Sequence, residues 1–146
     1  MSKSPDLPFA TTLHVRDNCL CLHAQRAARA LARRFDDAFR PLGLTNGQFS
    51  LMMSLNRPEA PDPGSVAALL SMDRTTLTAA LKPLERRGLV KVAVDAKDRR
   101  GRRLTLTAHG LELLVRATPI WRQIHADLDK PLEDPDRLRR DLRALS

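Results

Sequence analysis

The stretch "MDRTTLTAALKPLERRGLVKVAVDAKDRRGRRLTLT", Met72 to Thr107, decides the fold. Asp73 is placed to cap a helix through "RTTLTAALKPLERRGL", which stops at Gly88. Pro83 inside it removes one amide donor and predicts a bend. "LVKVAV" and "RRLTLT" read as two strands joined by a basic turn. Just upstream, "VAALLS" forms a short helix starting at Ser65, and only Met72 and its neighbours separate it from the next. Two short helices across a tight turn make a helix-turn-helix, and a hairpin directly after them makes a wing.

The same stretch holds the charge. Residues 73–107 carry 10 Lys/Arg against 4 Asp/Glu, which is +6 of the chain's net +8. The turn crowds Lys97, Arg99, Arg100, Arg102 and Arg103 into nine residues from Asp95. Cations packed so closely repel one another unless a polyanion takes up the charge, and a basic patch of this kind is the footprint of nucleic-acid binding. A solvated basic surface is the rival explanation from charge alone.

Outward from this centre the chain reads as helical. Asp17 is a plausible cap for one long helix through "NCLCLHAQRAARALARRFDDAFRPLG", with Ala24, Ala28, Leu31, Phe35, Ala38 and Leu42 forming an apolar stripe ended by Pro41 and Gly43. Thr45 caps "NGQFSLMMSL", and the proline-rich loop "NRPEAPDPG" follows. Thr107 caps a long helix from Ala108 striped by Leu114, Ala117, Trp121, Ile124 and Leu128; "EDPD" then breaks the chain before "RLRRDLRAL". The expected fold is all-α dominated (α+β): residues 45–107 form a winged helix-turn-helix, and residues 1–44 and 108–146 supply long terminal helices for dimerisation.

At 146 residues the chain suits one domain with a real core. It has no apolar run of membrane-spanning length, and its first residues lack the pattern of a secretory signal. Cys19 and Cys21 cannot be a disulfide framework, so a reducing cytoplasm is expected. His14, His23, His109 and His125 show no zinc-like grouping with the cysteines. Neither a phosphate loop nor a catalytic constellation is present, so no metal, cofactor or enzymatic activity is expected.

Helix, helix, helix-turn-helix, wing and two helices, with "LTNGQFSLMMSL", "MDRTTLTAALKPLERRGLVKV" and "DAKDRRGRRLTLTAHG" in order, resembles the MarR family of transcriptional regulators. The resemblance covers almost the whole chain and implies a homodimer on double-stranded DNA. A recognition helix reads base edges near its N-terminal end, which offers Arg74, Thr75, Thr76 and Thr78 here. Lys82, Arg86 and Arg87 lie further along and suit phosphates. The family's wing motif Asp-x-Arg, whose Arg enters the minor groove while the Asp braces it, matches Asp98 and Arg100. Arg99, Arg102 and Arg103 are then expected at phosphates, though strand alternation must turn some of them away.

The resemblance also implies release by an effector. "DNCLCLHAQ" is similar to the organic-hydroperoxide-sensing branch, whose reactive cysteine matches Cys21. That branch holds its thiolate with tyrosines, and this chain has none. A small aromatic or phenolic effector is therefore expected instead, with His14, His23 and Arg26 available to meet its carboxylate or hydroxyl. The rival from another class is a helical dimer that binds a small molecule or protein without recognising an operator.

Overall fold

The computed structural model describes residues 5–146. They run α1 (Phe9–Asn18), α2 (Leu20–Phe39), a 3-10 turn (Arg40–Leu42), α3 (Asn46–Ser54), α4 (Pro63–Leu69), α5 (Arg74–Arg86), β1 (Val90–Val94), β2 (Arg102–Leu106), α6 (Ala108–Asp129) and α7 (Pro135–Ala144). The expected helix-dominated architecture with one helix-turn-helix and one two-stranded wing is what the chain forms. No helix among the described residues is long and apolar enough to cross a membrane. The chain divides between Arg34 and Phe35 into two units.

The long helix expected from Asp17 is present as α2 but starts at Leu20, and a separate α1 precedes it. Asp17 lies inside α1, its carboxylate paired with Arg16 at 2.7 Å. The break falls at Cys19, whose ψ of 108° is extended. The Cys19 sulfur accepts from the Leu22 amide at 3.4 Å, so the thiol takes the position a capping hydroxyl would hold for α2. α1 contributes no buried residue, and Ala24, Ala28 and Leu31 on α2 are exposed.

The second unit holds the core. Phe39 stacks on Phe49 at 4.8 Å, tying the end of α2 to α3. Leu77, Leu81 and Leu84 are buried, so α5 presents one apolar face to the core and one polar face to solvent. The caps at Thr45, Asp73 and Thr107 form as expected, with Gln48 completing a capping box on Thr45. Gly43 and Gly88 adopt left-handed conformations where α2 and α5 were expected to stop. Ser65 does not start its helix: Asp62 caps α4, with Pro63 in its first turn and the Ser65 amide donating to Asp62 at 2.7 Å. In the turn to α5, Ser71 takes a left-handed φ of 53°. That conformation costs a side-chain-bearing residue about 1 kcal/mol, the strain of fitting so tight a turn.

β1 and β2 pair antiparallel from Val90↔Leu106 to Val94↔Arg102. Thr107 fastens this hairpin to the helices around it. Its hydroxyl donates to the Gly88 carbonyl at 2.6 Å and accepts from Gly110 at 3.0 Å, while its amide donates to the Leu89 carbonyl at 3.1 Å.

Candidate nucleic-acid interface

α5 is aimed by its cap. The Asp73 carboxylate accepts from the Thr76 amide at 2.7 Å and the Thr76 hydroxyl at 2.9 Å. These bonds, the amide's foremost, hold the Asp73 carboxyl below the usual carboxylate range. With Leu77 and Leu81 facing the core, Arg74, Thr75, Thr78 and Lys82 are exposed and line one shallow depression together with Ala79. Thr76 is exposed but lies outside this depression, its hydroxyl occupied by the cap. The Thr78 hydroxyl donates back to the Arg74 carbonyl at 2.8 Å. Ala79 was not singled out from sequence; only the spacing Thr75, Thr78, Lys82 hints at it.

The wing turn is ordered by its two carboxylates. The Lys97 amide donates to Asp95 at 2.9 Å, the Arg100 amide to Asp98 at 3.0 Å, and the Gly101 amide to the Asp98 carbonyl at 2.9 Å. Asp98 thus braces Arg100 through its backbone amide. Arg102 folds back onto the carbonyls of Gly101 and Arg99, at 3.1 and 3.3 Å. Among the described residues, the guanidinium groups of Arg99 and Arg100 meet no protein acceptor. The tip therefore presents uncompensated positive charge on an ordered backbone.

Two further arginines expected at phosphates are engaged within the protein. Arg103 donates to Asp95 at 2.9 Å and to the Ala60 carbonyl at 3.0 Å, and it is half-buried. Arg87 donates to the Gly43 carbonyl at 2.6 Å, holding the end of α5 to the turn after α2. Both are held by main-chain carbonyls 43 and 44 residues away, where local sequence gives no signal. The Lys97 amide first, then the Arg103 hydrogen bond and charge, hold the Asp95 carboxyl low against its desolvation. Asp62 is lowered chiefly by the Ser65 amide, with the Arg103 charge adding to it.

The residues expected to meet an effector are less well assembled. His23 and Arg26 share an open face of α2 with Arg29 and Arg33, whereas His14 on α1 bonds Asn18 at 3.2 Å and is not part of that face. His23 hydrogen-bonds through Nδ1 to the Cys19 carbonyl at 2.7 Å. Cys21 is exposed, and Gln25 donates to its sulfur at 3.2 Å. A separate apolar groove of about 570 Å³ opens between α3, α4 and α6, lined by Met53, Leu70, Thr118, Trp121 and Arg122 among others. Sequence reading missed it because it forms between helices distant along the chain.

Comparison with known proteins agrees with this geometry. The MarR family profile matches residues 44–101. The regulator SarZ of Staphylococcus haemolyticus is 26% identical over 121 residues, spanning 83% of this chain and 82% of SarZ. The transcriptional regulator MosR of M. tuberculosis, solved in complex with DNA, is 40% identical with a TM-score of 0.81, covering 88% of this chain and 93% of MosR. The repressor CouR, solved on a 23-mer DNA duplex, is 27% identical with a TM-score of 0.75, covering 97% of this chain and 96% of CouR. These relatives are transcriptional regulators, not enzymes. An exposed recognition-helix face, an arginine-tipped wing and kin of this closeness lead to one statement: the chain belongs to the MarR family of DNA-binding, winged helix-turn-helix transcriptional regulators.

Proposed function

We propose that the protein is a homodimeric repressor that grips a pseudo-palindromic operator and leaves it when a small molecule binds. The observation that carries this reading is the pairing, within one unit, of the exposed α5 face with a wing tip whose Arg99 and Arg100 have no acceptor among the described residues. α5 enters the major groove, where Arg74 pairs with guanine and the methyls of Thr75, Thr76 and Thr78 meet thymine. Lys82, Arg99 and Arg102 contact phosphates. Arg100 enters the minor groove, where negative potential concentrates, with Asp98 holding its backbone. Residues 45–107 are the DNA-binding part, and residues 1–44 and 108–146 are the dimerisation part. The DNA-bound structures of MosR and CouR, the latter described as a repressor, support this reading. Such a protein works where the DNA is, in the cytoplasm.

The effector is a small aromatic or phenolic molecule whose acidic group meets His23 or Arg26, with His14 nearby in sequence. Oxidation of Cys21 is the alternative trigger. Against it stands the want of any tyrosine hydroxyl to stabilise a thiolate. Cys21→Ser is expected to keep both DNA binding and induction. The primary test is fluorescence anisotropy with DNA from upstream of the protein's own gene beside an unrelated duplex of equal length. The proposal expects a preference of at least about 10³ at physiological salt, the low end for specific regulators. Equal binding to both would favour a ligand-binding dimer without operator recognition.

A further inference from the structure

Arg103 stands where the wing meets the body of the DNA-binding unit. It lies on β2 opposite Ala93, one residue before Leu104, which is fully buried. One arm of its guanidinium donates to Asp95, at the point where β1 leaves the sheet for the turn. Another arm donates to the Ala60 carbonyl in the loop before α4. The next backbone amide, that of Leu104, donates to the Pro61 carbonyl at 2.9 Å. Pro61 directly precedes Asp62, the cap of α4, and α4 is the first helix of the helix-turn-helix.

An isolated two-stranded hairpin is marginal in water and has no fixed pitch against its neighbours. Here two adjacent bonds tie one strand to the loop that starts the helix-turn-helix, and Arg103 also closes the base of the turn. A planar guanidinium has several donors in fixed directions, so one side chain can hold both acceptors at once. The Asp95 side chain is only 14% exposed, which shields its pair with Arg103 from water better than the other ion pairs are shielded. The geometry matters for reach. β2 begins at Arg102 and the chain before it is turned, so at about 3.3 Å per residue the tip at Arg100 lies at most roughly 10 Å beyond Arg103, and a tilt of about 10° at the base moves it by at most about 2 Å.

We propose that Arg103 is a positioning residue for operator recognition: by bridging Asp95 and the Ala60 carbonyl it sets the pitch of the wing against the helix-turn-helix, so that the wing tip and α5 reach adjacent grooves together. The proposal rests on the wing reading above, and differs from it in assigning Arg103 no contact with DNA. A phosphate ligand and a positioning residue have different signatures. Loss of a phosphate contact weakens all duplexes alike and flattens the salt dependence by about one charge. Loss of a positioning residue lowers the preference for the correct site and leaves that slope unchanged.

The experiment is fluorescence anisotropy over a salt series, on operator and on unrelated duplex, for wild type, Arg103→Met, Arg103→Lys, Asp95→Asn and Arg100→Ala, each first shown by thermal melting to be folded. Arg103→Met is expected to cut the operator preference by roughly tenfold, with an unchanged salt slope. Asp95→Asn, which keeps the turn acceptor but removes the charge, is expected to lie between wild type and Arg103→Met. Arg103→Lys, which keeps a donor but loses the fork, should recover part of the preference. Unchanged preference in Arg103→Met, alongside a clear loss in Arg100→Ala, would overturn the proposal alone, as would a slope flattened by one charge. A wild-type protein with no preference for any site would overturn the wing reading and the proposal with it.

Discussion

Gly88 and Gly110 bracket the wing, and the chain needs each for a different reason. Gly88 has a φ of +69° with nothing within 4 Å of where a Cβ would point, so its requirement is conformational. Gly110 is helical, but a Cβ there would run into the carbonyl oxygen of Leu89, where α6 packs on the start of β1. Gly88→Ala is therefore expected to cost about 1 kcal/mol, the penalty of a left-handed Cβ. Gly110→Ala is expected to cost ~3 kcal/mol, because backbone rather than a flexible side chain must move. Urea midpoints for the two variants check this, and equal midpoints would refute the packing argument. Residue-scale features were legible in the sequence where they are local. Thr45, Asp73 and Thr107 bond amides three residues on, so a cap announces itself. Arg103 and Arg87 looked like two more DNA-facing cations because each has a carbonyl acceptor more than forty residues away.

At the scale of elements, α5 and the wing were readable because each carries its own start and stop: Asp73 and Gly88 for the helix, the basic turn and Thr107 for the hairpin. α1 was not readable, for it buries nothing and so has no apolar periodicity to betray it. The start of α4 was misplaced because Pro63 and Gly64 look like loop, although proline suits a first helical turn. Within the candidate interface, the two elements are expected to answer substitution differently. Arg100→Ala should weaken operator binding by about 1–3 kcal/mol, the worth of one specific contact. Lys82→Ala should weaken all sequences alike and reduce the salt slope by about one. Titrations of operator and unrelated duplex at several salt concentrations separate the two, and an Arg100→Ala variant that binds like wild type would remove the wing from the interface.

For the whole molecule, exposed apolar side chains lie at both sequence ends as well as between them, at Leu69, Val94 and Val115. Leu7, Phe9, Val15 and Leu20 are more than half exposed in the first unit, and Leu138, Leu142 and Leu145 are open on and after α7. Apolar surface left open at both ends of a chain is what a subunit interface would cover. Light scattering at micromolar concentration is expected to give about twice the 16.3 kDa chain mass. A monomer would sink the palindromic-site reading. Stability should also depend on pH through His125, which lies 5.2 Å from Phe35 and 4.3 Å from Trp121, ring centre to ring centre. Burial first, then the positive charge of Arg139, hold its pKa below the ordinary histidine value, with Asp129 opposing. The folded chain therefore resists a proton that the unfolded chain accepts. Its contribution is present above the unfolded value of about 6.5 and is lost as pH falls below it. His125→Leu should flatten that limb in denaturation series between about pH 5.5 and pH 7.5 (about one unit to either side of that value).

The ring contact between Trp121 and His125 gives the protein an optical consequence. Trp121 is the single tryptophan of a chain without tyrosine, so nearly all of its ultraviolet emission reports one place. That place touches a titrating imidazole and also lines the groove between α3, α4 and α6. A protonated imidazole quenches indole light, so the native protein should dim on acidification, at a pH below that of a free histidine. A planar compound entering the groove should shift the colour of the same signal at constant pH. The molecule thus carries an unlabelled gauge of whatever enters the groove beside Trp121.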